Sequence, residues 1–339
     1  MDIEDPDQLA AYLRARGDAA AGAPFRVRTL AGGVSNKTVW VERPDGAHWV
    51  LKQALPKLRV KDDWFSDPAR IHREAEGMRV LAGLAPAGVI LPFLFDDPAH
   101  HVLAMAAAPE PHRNWKDLLL AGQVDLDLVD QFGRILGCLH ARFDEAAYPG
   151  DGMLRDRSFF ETLRLEPYYG ASAERVPESA AFLASLMQDT RRTALTVVHG
   201  DYSPKNVLVH AGRLILLDHE VIHVGDPAFD VGFALTHLLS KARHLEPHRA
   251  AFGEAARRFW RRYHAEVSGK DGYDGVESRA VRHTLGCLLA RVVGRSPLEY
   301  LSDRERVNQR AAVVGVMQDP PARIDALIDL MLAQMTPCP

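Results

Sequence analysis

Three short apolar runs arranged around one polar loop constrain this chain more than any other feature. Thr196–Val198 and Val207–Val209 flank the polar loop His199–Asn206, and Leu214–Leu217 follows a glycine-containing turn. Short apolar runs bounded by turn residues indicate buried strands. We therefore expect a loop held between strands, with Asp218 at the end of the last strand. Polar side chains on a loop that a buried scaffold positions are a common place for chemistry.

The spacing of the polar residues in and after this loop predicts a division of chemical work. Asp201 and Asn206 are five positions apart, and Asp218 follows after a hairpin. One carboxylate can accept a proton from a hydroxyl group, while an amide oxygen and a second carboxylate can hold magnesium, a hard ion that prefers oxygen ligands. Protein kinases divide the work in this way. We therefore predict Asp201 as the catalytic base and Asn206 and Asp218 as ligands of Mg2+.

The loop also matches a known motif. Its H-G-D-Y-S-P-K-N stands where protein kinases carry H-R-D-L-K-P-E-N, with matches at His199, Asp201, Pro204 and Asn206. With Gly200 in place of the kinase arginine, the loop resembles that of the aminoglycoside phosphotransferase family, small-molecule kinases that include choline kinases and methylthioribose kinases. The resemblance implies an α+β, protein-kinase-like two-lobe fold, with an antiparallel sheet and a helix in the small lobe and a larger, mostly helical lobe. It also implies transfer of the γ-phosphoryl group of ATP to a hydroxyl group of a small polar substrate, such as a sugar or an amino alcohol.

The small lobe most resembles that of methylthioribose kinases. A run similar to their K-Q-A-L-P-x-x-R-V begins at Lys52. Those kinases generally lack the asparagine that this chain has at position 206, and they are typically longer. The resemblance therefore favours the family without fixing methylthioribose as the substrate.

Lys52 ends a predicted strand, in the place of the kinase lysine that pairs with the nucleotide phosphates and with a helix carboxylate. The pattern of Asp67–Leu81 predicts the helix that follows. Glu74 is three residues after Ile71 and four before Met78, which places it on the apolar face of this helix. A buried glutamate needs a partner because an unpaired buried charge is costly. We therefore predict an ion pair between Lys52 and Glu74 in the nucleotide site.

A glycine-bearing turn is a further candidate for nucleotide contact. The predicted strands Phe25–Leu30 and Thr38–Glu42 enclose this turn, and its backbone N–H groups could approach a phosphate group because glycine carries no side chain. The residues predicted to bind the nucleotide there are Gly32, Gly33, Ser35 and Asn36.

Residues 106–109 are predicted as the hinge between the two lobes. The small, nucleotide-binding lobe is then 1–105, and the large catalytic and substrate-binding lobe is 110–339. In the resembled fold the adenine base hydrogen-bonds to the backbone at this hinge, and small residues leave room for it. Met105 and Ala107 are therefore predicted to border the adenine.

Several residues outside the central loop have narrower predicted roles. Asp230 is predicted to brace the catalytic loop through backbone hydrogen bonds and to cap a helix over Val231–Leu239. His140 is interpreted as a packed core histidine. A segment at 290–301 resembles a family segment that borders the substrate cleft, and its candidates for substrate or lobe contacts are Arg291, Arg295 and Glu299.

Composition favours a cytoplasmic enzyme with a small-molecule substrate. The net charge of -4 gives no general attraction to nucleic acid or membrane. Three widely spaced cysteines match neither a metal motif nor a disulfide framework. The acidic start is unlike a signal peptide, and no apolar run is long enough to span a bilayer. We expect no nucleic-acid or membrane partner, and the oligomeric state stays open.

Three alternatives compete with a general small-molecule kinase. An aminoglycoside-inactivating phosphotransferase would be favoured by a pocket lined with acidic residues, because aminoglycosides are polycations. A protein kinase is disfavoured because D-H-E at 218–220 replaces D-F-G and the chain has no A-P-E segment. A catalytically inactive nucleotide-binding or scaffold protein is disfavoured because every expected catalytic residue is present.

Overall fold

The computed structural model describes residues 1–18, 25–30, 35–59, 64–144, 146 and 152–335. Its strands are β1 (Arg26–Thr29), β2 (Asn36–Glu42), β3 (His48–Ala54), β4 (Phe93–Asp97), β5 (Val102–Ala106), β6 (Arg113–Asn114), β7 (Thr196–Val198), β8 (Val207–His210), β9 (Arg213–Leu216) and β10 (His223–Gly225). Its α-helices are α1 (Pro6–Ala15), α2 (Arg70–Leu84), α3 (Trp115–Leu120), α4 (Leu126–Arg142), α5 (Ser158–Phe160), α6 (Ala171–Arg175), α7 (Ala180–Arg192), α8 (Ala228–His244), α9 (Arg249–Val267), α10 (Val276–Val293), α11 (Asp303–Met317) and α12 (Ile324–Ala333). A π-helix over Glu161–Gly170 joins α5 to α6.

A five-stranded antiparallel sheet forms the N-terminal part, in the order β1-β2-β3-β5-β4. Side chains alternate between its faces, so Leu51 of β3 joins the core beneath α1 and Lys52 points toward α2. On the α1 side, Leu9 and Leu13 pack against the sheet. On the other side α2 packs through Ile71 and its neighbours. The sheet thus fixes which face of β3 can carry a functional lysine.

The remainder is mostly helical and is built around one large apolar core. α4, α8, α9 and α10 contribute its most deeply buried side chains. Two small antiparallel sheets, β6-β8-β9 and β7-β10, lie on this core and carry the polar loop and the Asp218 strand end. The predicted sheet-plus-helix part followed by a larger helical part is confirmed, whereas the lobe boundaries at 105 and 110 stay predictions. Within the described residues, no helix combines the length and apolarity needed to cross a bilayer.

The bounds of one predicted helix were wrong, and one apolar run does not form a single strand. The helix predicted from Asp67 begins at Arg70, because residues 67–69 form a turn in which Asp67 accepts from the Ala69 N–H at 2.9 Å. The apolar run over residues 89–95 is divided by Pro92, which has no N–H for a ladder. Its first part instead meets β9, where Val89 O accepts from the Leu216 N–H at 2.8 Å.

Candidate active site

Asp230 holds the polar loop between β7 and β8 through two hydrogen bonds to its backbone. Asp230 Oδ2 accepts from the His199 N–H at 2.7 Å, and its Oδ1 accepts from the Gly200 N–H at 2.8 Å. The predicted brace is therefore present, but Asp230 is not a helix cap, because α8 begins at Ala228 and Asp230 lies in its first turn. Gly200 has a φ of 77°, and a Cβ there would lie 2.8 Å from Val221 Cγ2. Glycine is required at this position by both backbone and space.

The Asp201 carboxylate has one engaged and one free oxygen. Its Oδ2 accepts from Asn206 Nδ2 at 2.8 Å and lies 3.0 Å from Arg164 Nη2. Its own N–H donates to His199 Nδ1 at 3.2 Å. Within the described residues, Oδ1 has no hydrogen-bond partner. The carboxylate is therefore fixed in orientation and has one oxygen available to a ligand.

Arg164 was not predicted as a site residue. It lies in the π-helix, where Pro167 has no N–H for the regular α-helical ladder. Wide turns of this kind frequently occur at functional sites. Besides Asp201, Arg164 binds Gly200 O through Nε at 2.8 Å. A proline inside an otherwise helical run was the only signal in the sequence, and it indicates a distortion without indicating a contact.

Lys52 lies between the carboxylates of Glu74 and Asp218, and its pairing with Glu74 was predicted. Its Nζ is 2.5 Å from Glu74 Oε1 and 3.1 Å from Asp218 Oδ1. Glu74 is fully buried. Burial and the nearby charge of Asp218 raise the pKa of Glu74 to about 7, although the Lys52 ammonium opposes this shift. Burial opposes the charged form of Lys52, but Asp218 and Glu74 outweigh it and raise the Lys52 pKa. The ion pair is present in the predicted helix register.

Asp218 and Asn206 both offer oxygens of the type that magnesium prefers. Burial opposes ionisation of Asp218, but Lys52 and Lys205 lower its pKa below the ordinary value, so it is an anion at neutral pH. The Asn206 amide donates to Asp201 through Nδ2, which leaves its Oδ1 without a partner in the described part of the chain. The backbone joins the two positions, since the Leu217 N–H donates to Asn206 O at 2.9 Å. These residues fit a hard cation that also binds phosphate oxygens.

Clusters of three or more His, Cys, Asp and Glu side chains able to hold a metal are absent from the described residues. A metal ion at Asn206 and Asp218 would therefore rely on few protein ligands. Magnesium is commonly bound in this way, through one or two carboxylates with substrate phosphates and water completing its shell.

Asp218 has a strained backbone, with a φ of 67°. Non-glycine residues rarely adopt this left-handed conformation, although aspartate tolerates it better than most. The strain occurs where β9 ends and the chain must reverse, and it directs the carboxylate toward Lys52. Strain of this kind is concentrated at functional sites.

Glu220 and Arg70 form a second buried pair that the sequence did not predict. Arg70 Nε is 3.2 Å from Glu220 Oε2, and Arg70 Nη2 also donates to Leu55 O at 2.9 Å and to Ser35 O. Asn36 Nδ2 donates to the same Glu220 oxygen at 3.4 Å. Burial and the Asp218 charge raise the pKa of Glu220 even though Arg70 opposes them. The end of the glycine-bearing turn is thereby tied to the segment that carries Asp218.

A cavity between the sheet and the helical part borders these groups. Its lining includes Val50, Lys52, Met105, Ala107 and Asp218. Met105 and Ala107, which were predicted beside the adenine, therefore line a largely apolar space that also borders the polar side chains of Lys52 and Asp218. Among the other nucleotide-site candidates, Ser35 and Asn36 lie outside this lining, and Gly32 and Gly33 lie outside the described residues. Nucleotide contact by all of these residues stays a prediction.

The candidates at 290–301 have different surroundings. Arg291 is buried between aromatic rings, Arg295 is exposed, and Glu299 pairs with Lys116. His140 is a buried core histidine, as predicted, with Nδ1 3.1 Å from the Tyr263 hydroxyl.

Comparison with known proteins identifies the class. A model described as the phosphotransferase enzyme family matches residues 26–277. The chain therefore belongs to this family. Methylthioribose kinase 1 of Oryza sativa subsp. japonica is 24% identical over 267 residues, which cover 69% of this chain. The match spans 62% of that relative's length.

Solved structures show the same fold. A choline/ethanolamine kinase family protein from Mesorhizobium loti is 18% identical, with a TM-score of 0.52 over 96% of this chain and 99% of the other. The amicoumacin kinase hAmiN, solved in complex with AMP-PNP, Ca2+ and Ami, is 16% identical, with a TM-score of 0.56 over 96% and 99% of the two chains. At these identities the likeness concerns the fold, which is the predicted protein-kinase-like, two-lobe α+β fold.

Proposed function

We propose that this protein transfers the γ-phosphoryl group of ATP to a hydroxyl group of a small polar substrate, with Mg2+ as the metal. The observation that carries the proposal is the meeting of two sets of groups at one cleft. Lys52 and Asp218 line the apolar cavity, and Asp201 and Asn206 are bonded to each other on the adjoining loop. A nucleotide with its base in the cavity would have its phosphate groups at these polar side chains.

The proposed roles follow from the atoms that remain available. Asp201 Oδ1 would accept the proton of the acceptor hydroxyl. Asn206 Oδ1 and the Asp218 carboxylate would hold Mg2+, which would supply charge neutralisation of the phosphate oxygens. Lys52, fixed by Glu74, would bind the nucleotide phosphates. Phosphoryl transfer depends mainly on positioning and charge neutralisation, which is what this arrangement offers.

The names of similar proteins support ATP, a divalent ion and a small hydroxyl acceptor. They include a methylthioribose kinase and a choline/ethanolamine kinase family protein, and one kinase structure holds AMP-PNP and Ca2+. Met105 and Ala107 line the cavity, in keeping with their proposed place beside the adenine.

Two of the competing functions, the aminoglycoside-inactivating phosphotransferase and the catalytically inactive protein, have less support. An aminoglycoside acceptor is polycationic, yet the side chain against Asp201 is Arg164, and Arg291 lies near the same Tyr168 ring as Arg164. A catalytically inactive protein would have no need for a free carboxylate oxygen on a braced loop. We therefore place the general small-molecule kinase ahead of both.

Metal-dependent nucleotide binding tests the proposal. Wild-type protein should bind AMP-PNP in calorimetric titrations with Mg2+ and clearly less well in EDTA. Asp218→Ala should lose about tenfold or more of the magnesium-dependent affinity, because a ligand and a compensating charge are removed. Asp271→Ala is the control, since that aspartate is exposed and distant in sequence from the site. Equal binding by Asp218→Ala and wild type would reject the metal assignment.

A further inference from the structure

Basic side chains extend from Asp201 into the helical part. Arg164 is 3.0 Å from Asp201, and its guanidinium carbon is 5.8 Å from the centre of the Tyr168 ring. The guanidinium carbon of Arg291 is 5.2 Å from the same ring centre. Two guanidinium groups therefore share one aromatic ring next to the proposed base. We call the set formed by Arg164, Arg291, His237 and Lys241 the basic row.

Arg291 is a buried cation without an acidic partner. It is 8% exposed, and its Nη1 donates to Ser296 O at 2.8 Å. Its Nη2 is 3.3 Å from His237 Nε2, and its Nε has no hydrogen-bond partner among the described residues. In that part of the chain no carboxylate lies within 4.0 Å of its nitrogens. A buried guanidinium with an unused donor is costly unless something else supplies an acceptor.

Lys241 is a second buried basic side chain in this row. It is 1% exposed, its Nζ donates to His237 O at 3.3 Å, and it lies against the Tyr300 ring at 5.4 Å. No described carboxylate comes within ion-pair distance of it. Burial and the nearby charges of Lys116 and Arg291 lower the Lys241 pKa to about 7, whereas the charge of Glu299 opposes this shift. Lys241 is therefore only partly charged at neutral pH, and Arg291 is the permanent cation at this place.

The carboxylates nearest to the basic row are already engaged. Asp201 binds Arg164, and the exposed Glu299 pairs with Lys116. Neither comes within ion-pair distance of Arg291. A ligand with an anionic group would supply the close partner that Arg291 lacks. The row begins at Arg164, which binds the Asp201 carboxylate that would receive the proton of the acceptor hydroxyl.

We infer that the phosphate acceptor carries an anionic group, a carboxylate or a phosphate ester, which binds at Arg291 while the acceptor hydroxyl lies at Asp201. This inference rests on the proposed kinase function and narrows its substrate class to hydroxy acids and sugar phosphates of similar chemistry. A cationic acceptor would be repelled by the same side chains. Burial of Arg291 strengthens this selection because its charge is poorly screened there.

Sulfate binding is the direct test of the anion site. Sulfate is titrated by calorimetry into protein saturated with magnesium AMP-PNP, so that Lys52 is already occupied. Wild type should bind sulfate, and Arg291→Gln should raise its Kd about tenfold or more, because a charge-assisted hydrogen bond is lost. Arg304→Gln, which alters an exposed arginine on α11, should leave the Kd unchanged. Absence of sulfate binding to wild type, or equal binding by Arg291→Gln, would overturn the inference.

A second variant and a second readout keep the test decisive. Should Arg291→Gln fail to fold, Lys241→Met removes the other cation at nearly the same stem length and should raise the sulfate Kd severalfold. If magnesium AMP-PNP itself does not bind, the kinase proposal fails. Sulfate is then titrated into Lys52→Met protein without nucleotide, which tests the anion site alone.

In ATP-consumption assays, gluconate and glycerate should be used better than gluconamide and glyceramide. A preference for the amides, or for choline and ethanolamine, would contradict the inference.

Discussion

Arg164 and Asn206 bind the same oxygen of Asp201. Arg164 Nη2 is 3.0 Å and Asn206 Nδ2 is 2.8 Å from Asp201 Oδ2. Two donors on one oxygen fix the plane of the carboxylate and leave Oδ1 for a ligand. Arg164 also binds Gly200 O, so it holds the loop backbone and the side chain together. It is therefore a positioning residue in the proposed reaction.

Arg164→Gln is expected to lower kcat by about 100-fold with little change in the Kd of magnesium AMP-PNP. A displaced reacting group typically costs a factor of this size, and Arg164 does not line the cavity proposed to bind the nucleotide. Arg164→Lys should recover only part of the rate, because one ammonium cannot bind Gly200 O and Asp201 in the same geometry. Steady-state kinetics and calorimetry separate the two effects. Arg304→Gln, an exposed arginine on α11, is the control. A matching loss of nucleotide affinity would show that Arg164 acts elsewhere.

The Lys52–Glu74 pair should behave as a buried unit. Lys52→Met leaves Glu74 without its cation, and breaking such a pair typically costs about 3–5 kcal/mol of unfolding free energy. Adding Glu74→Gln should restore part of that stability, since no unpaired buried carboxylate remains. The cost of Lys52→Met should be larger at pH 8 than at pH 6, because Glu74, whose pKa is already raised to about 7, is neutral at the lower pH. Urea unfolding of the two single variants and the double variant gives these values, and strict additivity would argue against the coupling.

Buried histidines should make the fold sensitive to mild acid. Burial lowers the pKa of His223 from 6.5 to about 4, and the ring stacks on Phe160 at 4.1 Å. Between these pH values the unfolded chain binds a proton that the folded chain does not, so unfolding free energy falls as pH falls. The slope is roughly 1.4 kcal/mol per pH unit for one proton. The pKa of each of three further buried histidines is lowered as well, at His199, His219 and His237.

His223→Phe should remove about one proton from this pH dependence, because phenylalanine keeps the stack and cannot titrate. Urea unfolding at pH 7.5, 6.0 and 5.0 measures the slope for wild type and variant. Indistinguishable slopes would mean that His223 does not contribute.

Local patterns were sufficient to predict the strands of the central loop and the pairing of Lys52 with Glu74. The glutamate was found because helical periodicity places it on the same face as Ile71 and Met78, and the structure has that register. The loop was found because its spaced polar residues lie between apolar runs. Both are short-range signals, and both fix geometry through secondary structure alone.

The contacts that were missed join distant segments. Arg164 is 37 positions before Asp201, and the π-helical turns that aim it have no recognisable periodicity. Arg70 lies on a helix that was predicted, but its partner Glu220 is brought to it only by the packing of the sheet on the helical part. Pairings of this kind depend on tertiary structure, which no local pattern contains.

The central claim is that Asp201 acts in phosphoryl transfer and not in holding the fold or the nucleotide. Asp201→Asn keeps size and polarity but cannot take up a proton, so kcat should fall by about 10²–10⁴. Asp271→Asn is the matched control on an exposed aspartate. The decisive measurement is turnover of the Asp201→Asn protein with an acceptor that wild type phosphorylates, alongside its affinity for magnesium AMP-PNP and its Tm. A large loss of turnover with the other two values nearly unchanged is the predicted result, and turnover close to wild type would contradict the account.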